Sequence, residues 1–264
     1  MVTSLLLGPV TELASRVNDA YLAAAGWHPT VIAFTGYGNL QVARVQCQTV
    51  MATRTDQREW LLKRRGWRQF VKQQTPRQPL LIRLGEAARI VDSDRAGYVD
   101  TQIHGHGLVP GWHQARAYPL HRGDLKRARM ELLGRRGWGR LPAEVLLGRL
   151  SDAGVRVGRG VSIPVRVVGE DELVGIVSDV DDTIMVSDVV RPASAVRHAL
   201  IDVVESRHPV PGMARFLKTL QASAKVAVRH ETGRDLALPP PVFYLSTGAW
   251  DTVPALRKFL RRNS

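Results

Sequence analysis

Apolar residues recur at helical spacing over residues 8–25, at Val10, Leu13, Val17, Tyr21 and Leu22, and this predicts an amphipathic helix. The period then changes. Residues 31–34 and 40–51 read as strands on either side of the turn Gly36-Tyr37-Gly38-Asn39. Residues 54–77 return to helical character, with Trp60, Leu61, Leu62 and Trp67 set among basic residues. Short apolar runs at 80–84, 88–91, 97–103 and 114–118 predict antiparallel strands, and the Gly-punctuated stretch 155–168 adds more.

The second half has a different signature. Leu173-Val174-Gly175-Ile176-Val177 is a continuous apolar run followed by Asp179-Val180-Asp181-Asp182-Thr183. Such a run reads as a buried parallel strand that delivers carboxylates to the carboxyl edge of a sheet, where open α/β folds place their ligands. Residues two apart in an extended chain share a side, so Asp179 and Asp181 face one substrate while Asp182 turns away. Neighbouring carboxylates repel, and a divalent cation is the usual remedy. A solvated turn or a helix N-cap uses the same residue types, so the pentapeptide by itself leaves both readings open.

After the break Pro239-Pro240-Pro241, the segment Val242-Phe243-Tyr244-Leu245 reads as a second short buried strand. It ends in Ser246-Thr247-Gly248-Ala249-Trp250, and a helical stretch begins at about Thr252. Hydroxyls between a strand and a helix N-terminus suit an anion, although a plain N-cap beside a glycine turn has the same composition.

D-x-D-x-T after a hydrophobic strand resembles the first motif of the haloacid-dehalogenase superfamily of phosphotransferases, and the strand ending in Ser246 resembles its second. The stretch Ser178 to Ile184, then Pro209-Val210-Pro211-Gly212-Met213 before a helix, then Tyr244-Leu245-Ser246 with Trp250 four residues on, resembles the Mg²⁺-dependent phosphatidate phosphatases related to the fungal actin-patch protein. Upstream, Arg65-Gly66-Trp67-Arg68-Gln69-Phe70 and the segment from Asp92 to Asp100 resemble the small β domain of bacterial members.

The resemblance implies that Asp179 is the nucleophile and Asp181 the acid and base. Asp182 and Thr183 would support the loop, and Ser246, with Thr247 second, would hold the phosphate. It also implies Mg²⁺ bound by Asp179 and Asp181, and residues 191–205 as a helix. The implied fold class is α/β, an incomplete parallel sheet of the haloacid-dehalogenase type with flanking helices, preceded by a small β-rich domain with an N-terminal helical segment. A third motif, a Lys or Arg, and a fourth, an acidic pair, have no counterpart in the expected order, since Arg257 and Lys258 follow the second motif too soon. The expectation is a C-terminally truncated member.

The 264 residues leave room for two domains of ordinary size, and 44% hydrophobic residues suffice to bury a core. The divisions expected are 1–78 for the N-terminal helix, strands and basic region, 79–169 for the β-rich domain and 170–264 for the catalytic domain. A net charge of +13 implies attraction to anionic surfaces. Eight basic residues fall between Arg54 and Arg77, either on a membrane or as the solvated face of a core helix. Zinc spacings, helix-turn-helix patterns and aromatic strand motifs of RNA binders do not occur, and no nucleic-acid partner is expected.

The lone Cys47 rules out an intrachain disulfide and suggests a reducing compartment. No apolar run approaches the roughly 20 residues of a membrane span. The localisation expected is cytoplasmic, with peripheral contact to a membrane rich in anionic phospholipid. His104, His106, His113 and His121 lack acidic or Cys partners at ligand spacing and read as loop histidines. Three function classes remain: a phosphatidate phosphatase releasing diacylglycerol, a phosphatase of the same superfamily on a soluble phosphoester, and an inactive remnant that binds anionic lipid.

Overall fold

The computed structural model describes residues 21–52, 74–132, 141–186, 208–236, 238–248 and 252–263. The chain divides into two compact units, Met1–Gly169 and Glu170–Ser264. The helix expected over 8–25 is described only at its end, residues 21–24. The basic stretch 54–77, except for its last four residues, and the helix expected over 191–205 lie outside the described residues.

The first unit is built on one nine-stranded sheet. Its strands are β1 (His28–Ala33), β2 (Gly36–Gly38), β3 (Val42–Ala52), β4 (Pro79–Leu84), β5 (Ala87–Asp92), β6 (Tyr98–His104), β7 (Gly111–Pro119), β8 (Leu141–Pro142) and β9 (Val161–Val167). They run in the order β1-β3-β2-β9-β7-β4-β5-β8, with β6 on β3. Every pairing is antiparallel except β2 with β9. Because β3 pairs with β6 and, through β2, with β9, the division expected at residue 78 does not separate strands 28–52 from those that follow.

Period-two alternation explains the sheet. In β6, Val99, Thr101 and Ile103 point inward while Asp100, Gln102 and His104 point out. Val31, Val45, Cys47, Leu80, Ile82, Val99, Ala115, Ile163 and Val165 all meet in one core, which requires the sheet to curl over a single face. Leu81 and Ala88 face the other way. Helices α1 (Arg122–Leu132) and α2 (Ala143–Asp152) cover them with Leu125, Ala128, Leu146 and Leu150. These helices were not anticipated, although Ala143, Leu146 and Leu150 carry the helical spacing.

The segment Asp92–Asp100, singled out by resemblance, has a structural explanation. The Asp94 carboxylate accepts hydrogen bonds from the backbone N–H of Ala96 and of Tyr98, both at 2.8 Å, an Asx-type turn into β6. Gly97 sits at φ +79°, and a Cβ there would lie 2.8 Å from the Thr49 carbonyl, so only glycine fits. Ser93 is buried and its hydroxyl donates to the Thr75 carbonyl at 3.0 Å.

The second unit contains β10 (Ile176–Asp179), α3 (Met213–Thr232), β11 (Val242–Leu245) and α4 (Val253–Asn263). The two strands are parallel, with Ile176 opposite Val242 and Asp179 opposite Leu245. Among the described residues of the second unit the parallel sheet expected is represented by this pair, and the molecule is a mixed α/β protein whose main sheet is mostly antiparallel.

The apolar run 173–177 was expected as a buried strand, but the strand begins only at Ile176, and Leu173 and Val177 are both 65% exposed. The reason is the one-sided layer: Ile176 and Tyr244 pack with Val180, Ile184, Met185, Leu217 and Phe259, while Val177 and Leu245 lie on the other face, where no described helix packs.

Candidate active site

The loop after β10 is tight. The amides of Ile184 and Met185 both donate to the Val180 carbonyl, at 3.1 and 3.2 Å, and the Asp182 amide donates to the Met185 carbonyl at 2.8 Å. Asp182 holds φ +57°, a left-handed conformation that Asp and Asn accept more readily than most residues. Val180, Ile184 and Met185 are buried and anchor the loop, so its polar members are turned outward. The loop is also tied to the chain leading into α3, since Val186 N–H donates to the His208 carbonyl at 2.9 Å and Val210 N–H to that of Ile184 at 3.1 Å. Helix α3 opens directly after Pro211-Gly212, with Gly212 at φ +81°.

The far strand is fixed from both sides. Ile176 N–H donates to the Pro241 carbonyl at 2.9 Å, and the Gln221 amide of α3 donates to the Pro240 carbonyl at 2.7 Å. The parallel register then sets Asp179 beside Leu245, at the carboxyl ends of both strands, so that Ser246 follows on the same edge as Asp181.

At this edge the Ser246 hydroxyl donates to Asp181 Oδ2 at 3.3 Å, and the Thr183 hydroxyl to Asp179 Oδ2 at 3.5 Å. Gly248 N–H donates to Ser246 Oγ at 3.0 Å. Asp179, Asp182, Ser246 and Thr247 are exposed, and Asp181 and Thr183 are half-buried. The structure thus brings Asp179, Asp181, Thr183 and Ser246 together; Asp182 is exposed in the loop, and Thr247 lies between Ser246 and Gly248.

Thr252, at the start of α4, was missed. A Cβ on Gly248 would lie 3.1 Å from Ser246 Oγ and 3.5 Å from Thr252 Oγ1, so the glycine lets two hydroxyls approach one turn. Its sequence signal is a Thr immediately before the first helical residue, with Pro254 in the first turn. Arg257 and Lys258 both lie on α4. Burial, and next the neighbouring charge of Arg261, lower the pKa of Arg257 from its ordinary value. Burial alone pushes the Tyr244 phenol up.

His106, His113 and His121 make local contacts within the first unit. Fully buried His106 contacts the Asn39 carbonyl through Nε2 at 3.0 Å and accepts from Leu108 N–H at Nδ1 at 3.1 Å. Nε2 of His113 contacts the Val109 carbonyl at 2.8 Å, and His121 stands 3.1 Å from the buried carboxylate of Asp124, which Arg156 also holds at 2.7 Å. Among the described residues no three His, Cys, Asp or Glu side chains form a metal cage, and no helix is long and apolar enough to cross a membrane.

No curated protein and no solved structure matches the chain. The unit that carries the carboxylates and hydroxyls at one strand edge does have a match: residues 174–264 fit the family model of the phosphatidate phosphatase APP1 catalytic domain, the family that the two motifs resemble.

Proposed function

We propose that the second unit hydrolyses a phosphate monoester of a membrane lipid, phosphatidate, through a phosphorylated aspartate, releasing diacylglycerol and phosphate. The observation that carries this reading is the 3.3 Å contact between Ser246 and Asp181 beside Asp179, produced by the parallel register of β10 and β11. The family match supports phosphatase chemistry for the same residues.

In the first step a carboxylate oxygen of Asp179 attacks phosphorus and the bond to the glycerol oxygen breaks, with Asp181 in its acid form donating the proton that the departing alkoxide needs. In the second, Asp181 as carboxylate takes a proton from water, which attacks phosphorus and restores the Asp179 carboxylate with release of phosphate. Ser246 donates to a phosphoryl oxygen when substrate is present, and to Asp181 otherwise; Thr247 is the second donor on that turn. Thr183 orients Asp179, and Asp182 gives the loop its left-handed turn.

The donor set suits Mg²⁺. The exposed Asp179 carboxylate and the carbonyl or carboxylate of half-buried Asp181 are hard oxygen ligands, and Mg²⁺ commonly binds one or two carboxylates while keeping waters and substrate oxygens. When bound it would supply charge neutralisation between an anionic nucleophile and an anionic phosphoryl group.

The test is diacylglycerol release from phosphatidate with and without a chelator, in the native chain and in Asp181→Asn. The native chain is expected to require Mg²⁺, and the variant to accumulate phosphate on Asp179, because attack proceeds without water activation. Phosphate release from soluble monoesters alone would move the substrate away from lipid. Unchanged turnover in Asp181→Asn would remove the mechanism.

A further inference from the structure

We infer that the groove between α3 and α4 receives an acyl chain of an anionic phospholipid from a membrane surface. The inference rests on the reading above that the substrate is a membrane lipid, and it names what holds the second unit against that membrane. Both helices pack on one face of β10 and β11, where Met213 and Leu217 of α3 join Phe259 and Leu260 of α4 in a cluster with Ile176 and Tyr244. They do not close over the strands. Between them lies a groove of about 120 Å³, lined chiefly by Ala214, Leu217, Val242, Tyr244, Phe259 and Leu260. Ile184, which follows Thr183 of the site loop, lines it as well.

Size sets what enters. An apolar protein cavity of about 150 Å³ takes one benzene molecule, so this groove has room for roughly six carbons. That is a length of one alkyl chain, well below the roughly 300–1,000 Å³ of a site for a drug-sized ligand. On the flank of α3 away from Lys218, Phe216 and Leu220 lie one turn apart and are 54% and 37% exposed. They add apolar surface to the same helix, as in helices that lie along a bilayer boundary.

Charge selects the head that goes with the chain. Residues 213–230 and 253–263 contain no Asp or Glu, and they supply Arg215, Lys218, Lys225 and Arg229 on α3 and Arg257, Lys258, Arg261 and Arg262 on α4. Lys218 lines the groove, and exposed Arg261 and Arg262 stand in the last turn of α4 beside Asn263, which also lines it. Among the described residues no carboxylate does so. The acidic residues of this unit flank the helices: Glu170, Asp171 and Glu172 precede β10, Asp179, Asp181 and Asp182 precede Ile184, and Asp251 precedes α4. Glu231 ends α3, and Asp235 beyond it lies 3.6 Å from Arg229. Arg261 also lowers the pKa of Arg257, second to burial, and an anion bound nearby offsets such repulsion. A second copy of this face would bring the same sign of charge, and nucleic acid has the charge without the chain. An anionic phospholipid has both.

The experiment is flotation of the full chain with vesicles of phosphatidylcholine, with or without phosphatidylserine, an anionic lipid that the proposed reaction does not consume. Lys218→Glu combined with Arg261→Glu and Arg262→Glu should lower binding to the anionic vesicles about a hundredfold, roughly fivefold for each cation lost from the surface. Thermal melting should not change, since all three side chains are exposed. Ala214→Phe fills the groove and leaves the charge, and it should lower binding about tenfold, the loss expected for roughly two buried methylenes. Phosphatidylserine with a photoreactive acyl chain should label peptides of α3 or α4 in the native chain, a readout that needs no variant to fold. Native-level binding by either variant, equal binding to neutral vesicles, label confined to other segments, or loss of self-association in place of lipid binding would overturn the proposal. Hydrolysis of water-soluble dioctanoyl phosphatidate, followed in parallel, separates the two readings. Vesicle binding that needs the groove and its cations, with no hydrolysis, keeps the lipid site and removes the phosphatase; hydrolysis with vesicle binding unaltered in the variants does the reverse.

Discussion

The two units bury their side chains to different degrees. In the first, Leu80, Leu81, Ile82, Leu146, Leu150, Ile163 and Val165 are fully buried, shared between two cores on opposite faces of one sheet. In the second, the described residues form a small cluster around Leu217 and Phe259, while Val177, Leu245 and Phe216 are largely exposed. The carboxylates and hydroxyls that point to chemistry are found in the second. Stability is concentrated where a sheet is covered on both faces, and reactive groups where strands end at an open edge. A strand end frees backbone and side chains for a ligand, whereas a covered strand has none to spare.

The contrast breaks most visibly at Asp179. Asp179→Asn should abolish phosphate release, a loss of about a thousandfold or more, while melting by calorimetry stays within about 0.5 kcal/mol of the native chain because the residue is exposed. A large stability change would make Asp179 structural. Next come the cores: Ile82→Ala should cost about 2–5 kcal/mol in denaturant unfolding of the first unit, and Leu217→Ala in the second should fall at or below the low end of that range, its surroundings being less enclosed. Equal costs would mean that the second unit is as tightly packed as the first.

A smaller effect concerns Cys47, whose thiol is pushed up to about 12 by burial. Its folded pKa lies above the ordinary 9.0, so the folded state holds the proton longer, and its contribution to stability is complete below pH 9 and lost as pH rises from there toward 12. A thiol reagent at neutral pH should therefore modify Cys47 only at the rate of unfolding; rapid labelling would contradict its burial. The smallest effect is expected at Asp100, held below the usual carboxylate range chiefly by the hydrogen bond from Arg44. The pair is nearly half exposed, so Asp100→Asn should cost about 0.5 kcal/mol. That contribution is present above the ordinary carboxylate pKa and disappears as the pH falls through the depressed value. Urea melts at neutral and acid pH measure it.

Much of this was legible because local chemistry carried it. Strands 80–84, 88–91, 97–103 and 114–118 were visible as short apolar runs, and they correspond to β4, β5, β6 and β7. The helix opening near Thr252 was visible from the hydroxyl and glycine break before it, and the one opening at Met213 from the family resemblance. Helix α1 escaped because its few apolar positions stand among Arg, Lys, Asp and Glu, whereas α2 carries a legible helical spacing; the apolar faces of both are explained by packing with Leu81 and Ala88. The buried strand read into 173–177 failed because an apolar run reports hydrophobicity, not what is available to cover it.

By itself, the sequence determined that three aspartates follow one apolar run and a hydroxyl turn follows another, and that an excess of positive charge accompanies them, since these are matters of order and composition. Only the tertiary structure decided that Asp181 and Ser246, 65 residues apart in sequence, meet within hydrogen-bonding distance, and that β1 to β3 share a sheet with the strands after residue 78. Both depend on strand register across long intervening segments, and register is settled by which side chains can be buried together, a property of the folded chain as a whole.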